Sequence, residues 1–157
     1  MTPPVTKNNP DPAAKARLRL WLRLLKTTRR IETELRENLR REFATTLPRF
    51  DVMAALNRYE KGLKMSELSG VLKVSNGNVT GIVDWLVSRG FVVRVPVPGD
   101  RRASLVRLTR KGREEFSRQA RAHESWVDDL LCGLEAAEVD ELSARLDVAL
   151  NYMEDGA

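Results

Sequence analysis

The segment PGDRRASLVRLT, residues 98–109, contains two adjacent arginines, whose guanidinium groups are suited to binding an anion. Arg101 and Arg102 follow a Pro-Gly pair and an aspartate, and the residues after them alternate between apolar and polar side chains. Two neighbouring guanidinium groups are almost never buried without partners. We therefore predict a β-hairpin with Pro98-Gly99-Asp100 in its loop, and a tip that faces water or a negatively charged surface.

A group of short polar residues opens a predicted helix upstream of this hairpin. An apolar stripe at three-to-four spacing follows them and ends at Gly90, and a shorter helical pattern precedes them. Two short helices joined by a tight turn form a helix-turn-helix, whose second helix can enter a DNA major groove about 12 Å wide. Plain helix capping is the alternative role for these side chains. The predicted DNA contacts are Ser75, Asn76, Gly77, Asn78 and Thr80.

The order helix, turn, helix and basic hairpin predicts a winged helix-turn-helix, in a fold that is mainly α with a small β-wing. In this arrangement Arg101 and Arg102 lie along a phosphate strand or enter the minor groove, where the negative potential attracts arginine. Asp100 would orient one of them through a charge-assisted hydrogen bond, and Arg94 in the first strand is a further predicted contact. A merely solubilising loop tip is the alternative for the two arginines.

The distribution of charge supports a polyanionic partner. The net charge is +5, and nine basic residues stand against three acids between positions 89 and 118, whereas the segment from position 135 onwards carries seven acids and one arginine. Such a basic region favours nucleic acid or an anionic membrane surface. No run approaches the roughly 20 apolar residues of a membrane span, so we expect a cytoplasmic protein with no membrane partner.

The sequence contains no pattern typical of an enzyme. A phosphate-cradling glycine loop, His-Glu-x-x-His, Cys-x-x-Cys and a serine elbow are all missing from it. A single histidine and a single cysteine make a metal site or an intramolecular disulfide a poor expectation. We predict no catalytic activity, no metal and no cofactor. A winged-helix adaptor that binds proteins without specific DNA binding is the alternative function, and the basic hairpin argues against it.

Long helices flank the predicted DNA-binding part. Residues 13–43 contain no Gly or Pro and carry apolar residues at helical spacing. At 1.5 Å per residue this helix is roughly 45 Å long, more than a compact domain of this size needs, so part of it should pack outside its own domain. We predict a disordered tail over residues 1–12 and one domain over 13–157. Within it, residues 47–112 form the winged helix-turn-helix, and 13–46 and 113–157 are dimerisation helices.

The order of the segments LPRFDVMAAL, MSELSGVLKVS, NVTGIVDWLVSRGFVVR and PGDRRASLVRLTRKG closely resembles the multiple antibiotic resistance regulator (MarR) family of bacterial winged-helix repressors. The resemblance covers residues 14–153, and its most specific part is the Asp-Arg-Arg tip with the Val-x-Leu-Thr-x-x-Gly pattern of Val106–Gly112. It implies a homodimer with interlocked terminal helices on a palindromic operator. Gly81 and Trp85 depart from the family, which often has a basic residue where Gly81 stands, so the operator preference cannot be carried over.

The resemblance also implies a small anionic aromatic ligand that binds between the dimer helices and the winged part and releases DNA. Seven basic residues and no acid between positions 15 and 30 fit an aromatic acid or an aromatic acyl-coenzyme A thioester, and the abundance of arginine favours the thioester. Alternatively, these cations are solvated or balance the acidic last helix across the dimer, and the apolar residues are ordinary core. The predicted ligand contacts are Arg17, Trp21, Arg23, Phe43, Phe50 and Met53.

Overall fold

The computed structural model describes residues 11–72 and 76–156. They form two compact units, one ending at Leu47 and the other beginning at Pro48, and each is treated separately. The elements are α1 (Pro12–Phe43), α2 (Leu47–Arg58), β1 (Leu63–Lys64), α3 (Met65–Leu72), α4 (Asn76–Ser88), β2 (Val92–Val97), β3 (Asp100–Leu108), α5 (Arg110–Leu131) and α6 (Ala136–Asp155). A mainly helical chain with a small sheet was predicted, and the prediction is confirmed.

Helix α1 makes up most of the first unit. The Asp11 side chain accepts a hydrogen bond of 3.0 Å from the backbone N–H of Ala13, and Pro12 occupies the first turn, where its missing N–H costs nothing. Of the predicted tail over residues 1–12, the structure describes only Asp11, the N-cap, and Pro12, the first residue of the helix, and residues 1–10 lie outside the described residues. The helix ends at Ala44, which adopts a left-handed conformation with φ 49° and donates its N–H to the carbonyl of Arg40.

The core of the second unit is built from the apolar stripes of the short helices and one face of the sheet. Helix α4 buries Val79, Val83 and Leu86, the residues at three-to-four spacing, and so leaves its other side to solvent. The other buried residues of this core are Val52, Met53, Ala55, Leu56, Leu63, Leu68, Val92, Val106 and Leu108.

The sheet is antiparallel in the order β1-β3-β2. Strands β2 and β3 form the predicted hairpin, and Gly99 turns the chain with φ +82°, a conformation that glycine adopts without steric cost. The loop is shorter than predicted, because Asp100 already belongs to β3. The pairing is irregular near the tip, because Pro96 pairs with Ser104 and the next residue, Val97, pairs with Asp100. Strand β1 was not predicted, since two residues are too few to show an alternating pattern.

The Val-x-Leu-Thr-x-x-Gly pattern joins the end of the hairpin to the end of α4. Thr109 is the N-cap of α5: its hydroxyl accepts the N–H of Gly112 at 2.9 Å and donates to the carbonyl of Gly90 at 2.6 Å. The backbone N–H of Thr109 bonds the Phe91 carbonyl at 3.0 Å. Gly112 packs against the same carbonyl so closely that a Cβ there would lie 1.9 Å from its oxygen. The pattern thus fixes the hairpin relative to α4.

Along the two described ranges, none of the helices combines the length and the apolar character that crossing a membrane requires.

Candidate nucleic-acid interface

The solvent side of α4 carries two of the predicted DNA contacts. Asn78 and Thr80 are exposed, whereas Val79 between them is completely buried. Asn76 and Gly77 form the first turn of the helix, and Ser75 lies outside the described residues. The first turn contains no acidic residue, so the partial positive charge of the helix N-terminus is not offset there. A helix end of this kind attracts phosphate groups.

The hairpin tip presents Arg101 and Arg102 to solvent. Within the described part of the chain, neither guanidinium takes part in an ion pair. The Asp100 carboxylate has a different partner from the one we expected: its Oδ1 accepts the backbone N–H of Arg102 at 3.0 Å. Aspartate commonly bonds its own backbone two residues on, and this contact shapes the tip without engaging a guanidinium. Both arginines therefore keep their hydrogen-bond donors for another molecule.

Arg94 does not extend freely towards a ligand. It forms a close ion pair with Asp84, which lies on the exposed side of α4. The pair connects strand β2 with helix α4, so in this structure Arg94 fixes these two elements relative to each other. Its predicted contact with DNA remains a prediction.

The six predicted ligand contacts fall on both units. In α1, Trp21 is 54% exposed, Arg17 and Arg23 are also exposed, and Phe43 near its end is half-buried. In α2, Phe50 and Met53 belong to the interior of the second unit, where they are 6% and 1% exposed. Two residues that fill the core offer no surface to a ligand in this conformation, which favours the ordinary-core alternative for them.

His123 is half-buried in the second unit. Its ring stacks on Phe50 with 4.7 Å between centroids, and burial lowers the pKa of His123, an effect that the negative charge of Asp51 partly opposes. In residues 11–72 and 76–156, no cluster of three His, Cys, Asp or Glu residues is arranged to hold a metal ion.

The structure also brings together three residues that the sequence did not connect. The guanidinium carbon of Arg49 lies 3.7 Å from the ring centroid of Trp85, and that of Arg89 lies 5.1 Å from it. The only sequence signal was a tryptophan on α4 outside the buried stripe. Its arginine partner in α2 is distant in sequence, so spacing could not have identified it.

Comparison with known proteins places this geometry in a family. The family model described as MarR family matches residues 45–104. The curated regulator PecS from Dickeya dadantii is 29% identical over 62% of this chain, and the chain spans only about 60% of its length. The crystal structure of a MarR family transcriptional regulator from Silicibacter pomeroyi is 34% identical, with a TM-score of 0.77 over 92% of this chain and 99% of that one.

A mutant MarR from Escherichia coli, solved in complex with operator DNA, aligns with a TM-score of 0.73 at 27% identity, over 90% of this chain and 99% of that one. PecS and the Silicibacter pomeroyi protein are named as transcriptional regulators, in agreement with the prediction of a protein that is not an enzyme. The winged helix-turn-helix architecture is likewise confirmed by the matched structures. Since a 34% identical relative is covered over nearly its whole length, the chain belongs to the MarR family.

Proposed function

We propose that this protein is a transcriptional regulator that binds duplex DNA through α4 and the hairpin tip. The observation that carries the proposal is the joint exposure of Asn78 and Thr80 on α4 and of Arg101 and Arg102 on the wing. Amide and hydroxyl groups suit base edges, and guanidinium groups suit phosphates or the minor groove. The operator complex of the Escherichia coli relative supports this reading.

The DNA-bound form is a homodimer. Apolar side chains are exposed on both terminal helices, including Leu18 and Leu22 of α1 and Leu142 and Leu150 of α6, which are 48–56% exposed. Soluble monomers rarely expose contiguous apolar surface of this kind, and a second copy is the usual way to cover it. Two-fold symmetry would match a palindromic operator whose half-sites lie about one helical turn, roughly 34 Å, apart.

A ligand would control the distance between the two recognition helices. We favour an anionic aromatic compound, either an aromatic acid or an aromatic acyl-coenzyme A thioester, because α1 carries seven cations and no acid from Lys15 to Arg30. The regulator would act as a repressor that such a compound releases from DNA. To change the population from mostly bound to mostly free, the compound must prefer the unbound spacing by about 5.5 kcal/mol.

Sedimentation of the purified chain, alone and with duplex DNA, tests this function. We expect the mass of two 17.8 kDa chains in the absence of DNA, and one such dimer bound to one duplex in its presence. The dimer is expected because a lone chain would leave the apolar faces of α1 and α6 in water. A stable monomer at micromolar concentration would contradict the symmetric arrangement, and a dimer that does not shift with DNA would favour the adaptor function.

Asn78→Ala should change sequence preference more than overall affinity. Asn78 is exposed in the first turns of α4, and a bidentate asparagine contact to adenine contributes about 1–3 kcal/mol of discrimination. Affinity for a duplex selected by the wild-type protein should therefore fall, while affinity for a scrambled duplex should hardly change. Fluorescence anisotropy with both duplexes measures the difference. An equal loss on the two would mean that Asn78 contacts only phosphate.

A further inference from the structure

Trp85 lies on α4 outside its buried stripe and is half-buried. Two guanidinium groups approach its ring, that of Arg49 from α2 and that of Arg89 from the end of α4, at 3.7 and 5.1 Å from the centroid. Both distances are within the 6 Å or so over which a cation interacts with an aromatic face. We call Arg49, Trp85 and Arg89 the arginine–indole cluster.

Stacking on the indole prepares an arginine for binding an anion. A stacked guanidinium is confined in orientation, and its N–H groups lie in its own plane, where they fit the oxygens of a phosphate. Arg49 is half-buried, so part of its side-chain entropy is already lost before a ligand arrives. Less of the binding free energy is then spent on ordering the side chain.

The helix ends near the cluster differ in their effect on a cation. The negative end of the α4 dipole favours Arg89 and also Lys111, whose Nζ donates to the Arg89 carbonyl at 2.9 Å. Arg49, however, lies in the first turn of α2, where the helix dipole disfavours a cation. It also lies near the charge of Arg89, and like charges repel. An anion bound at the cluster would be attracted by both guanidinium groups and by the N-terminus of α2.

The cluster shares one side of α4 with a predicted base contact. Asn78, Trp85 and Arg89 are separated by seven and four residues, a spacing that keeps them on one stripe of a helix. The stripe is roughly 16 Å long at 1.5 Å per residue. A helix that inserts Asn78 into a major groove about 12 Å wide therefore carries Arg49 and Arg89 towards the sugar-phosphate strand at the groove edge.

We propose that the arginine–indole cluster is a phosphate-binding site for the DNA backbone, in addition to the contacts made by α4 and the wing. The proposal rests on the DNA-binding function proposed above. The bound group is a phosphodiester of the duplex. A free phosphate would present the same oxygens to the guanidinium groups, so the experiment includes both.

Arg49→Gln tests the site by the salt dependence of DNA binding. Each phosphate contact contributes about 0.9 to the slope of log K against log salt concentration. With a labelled mixed-sequence duplex of about three helical turns, the slope should fall by about 0.9 per subunit. Affinity should fall equally on selected and scrambled duplexes, because a backbone contact carries no sequence information. Arg58→Gln removes the same charge from the other end of α2 and should leave the slope unchanged.

Two further variants separate stacking from charge. Trp85→Leu keeps an apolar side chain and both arginines but removes the ring, so DNA affinity should fall at every salt concentration. Arg49→Lys keeps the charge but not the planar stacking, so it should restore only part of the affinity that Arg49→Gln loses. Urea unfolding of each variant confirms that the fold is intact.

Failure of the cluster proposal and failure of the DNA-binding function give different results. If the wild-type protein binds DNA and the Arg49→Gln variant shows the same slope of log K against log salt concentration as the wild type, the cluster proposal is wrong and the DNA-binding function stands. If the wild-type protein does not bind duplex DNA, the function itself fails. Inorganic phosphate is the second probe. If it raises the melting temperature of the wild type but not of Arg49→Gln, and Arg49→Gln keeps the wild-type salt slope for DNA, the cluster binds a free anion. That result would overturn the proposal.

Discussion

Gly112→Ala is expected to destabilise the protein by about 3 kcal/mol or more, one of the largest effects a single methyl group can have. The added Cβ would lie 1.9 Å from the carbonyl oxygen of Phe91 and 2.8 Å from its carbonyl carbon. Both are backbone atoms, so no side chain can rotate away. The backbone at Phe91 or the start of α5 must move, and the Thr109 bonds to Gly90 and Phe91 would be strained. The midpoint of urea unfolding measures the effect.

Gly81→Ala is the matched control for this prediction, and its effect should have the opposite sign. Gly81 lies inside α4, and a Cβ added there meets no atom within 4 Å. Alanine is favoured over glycine in a helix interior by about 1 kcal/mol, so the variant should be more stable than the wild type. If Gly112→Ala unfolded at the wild-type urea concentration, the close packing of α5 on Phe91 would be wrong.

Replacing Arg101 and Arg102 together by alanine should reduce the affinity for operator DNA by about 100-fold or more, because each subunit of the proposed dimer loses two cationic contacts at the wing tip. Both side chains are exposed, so stability and dimer mass should be unchanged. Anisotropy titrations at a fixed, stated salt concentration measure the loss. The salt slope should decrease as well.

The control for the wing variant is Arg118→Ala combined with Arg121→Ala in α5. This pair removes the same charge from a helix surface where Arg118 is already paired with Glu115. A similar loss of affinity in both double variants would indicate a general charge effect and remove the special role of the wing. Wild-type affinity in the Arg101 and Arg102 variant would contradict the interface outright.

The sequence was most informative where function and structure depend on local pattern. The three-to-four spacing of Val79, Val83 and Leu86 predicts both α4 and the side of it that is buried, because burial follows helical periodicity. The hairpin follows from a Pro-Gly turn between two β-rich runs. Local pattern did not predict the contact at the tip of the hairpin. Asp100 was expected to bond a guanidinium, but its carboxylate accepts the nearer backbone N–H of Arg102.

Contacts between residues far apart in sequence could not be predicted in the same way. The stack of Arg49 on Trp85 and the ion pair of Arg94 with Asp84 depend on how helices and strands are packed, and neither leaves a spacing signal. Strand β1 forms because Leu63 and Lys64 pair with β3, and two residues are too few to show an alternating pattern. Tertiary packing decides such features.

The most direct test of sequence-specific DNA binding is a competition titration of the wild-type protein. The competitors are a duplex that the protein has selected from a random pool, a scrambled duplex of equal length, and heparin. A dimer that reads base edges with α4 and phosphates with the wing should prefer the selected duplex by about 1,000-fold or more at physiological salt. Equal affinity for all three polyanions would show that only charge is recognised, and would contradict a sequence-reading regulator.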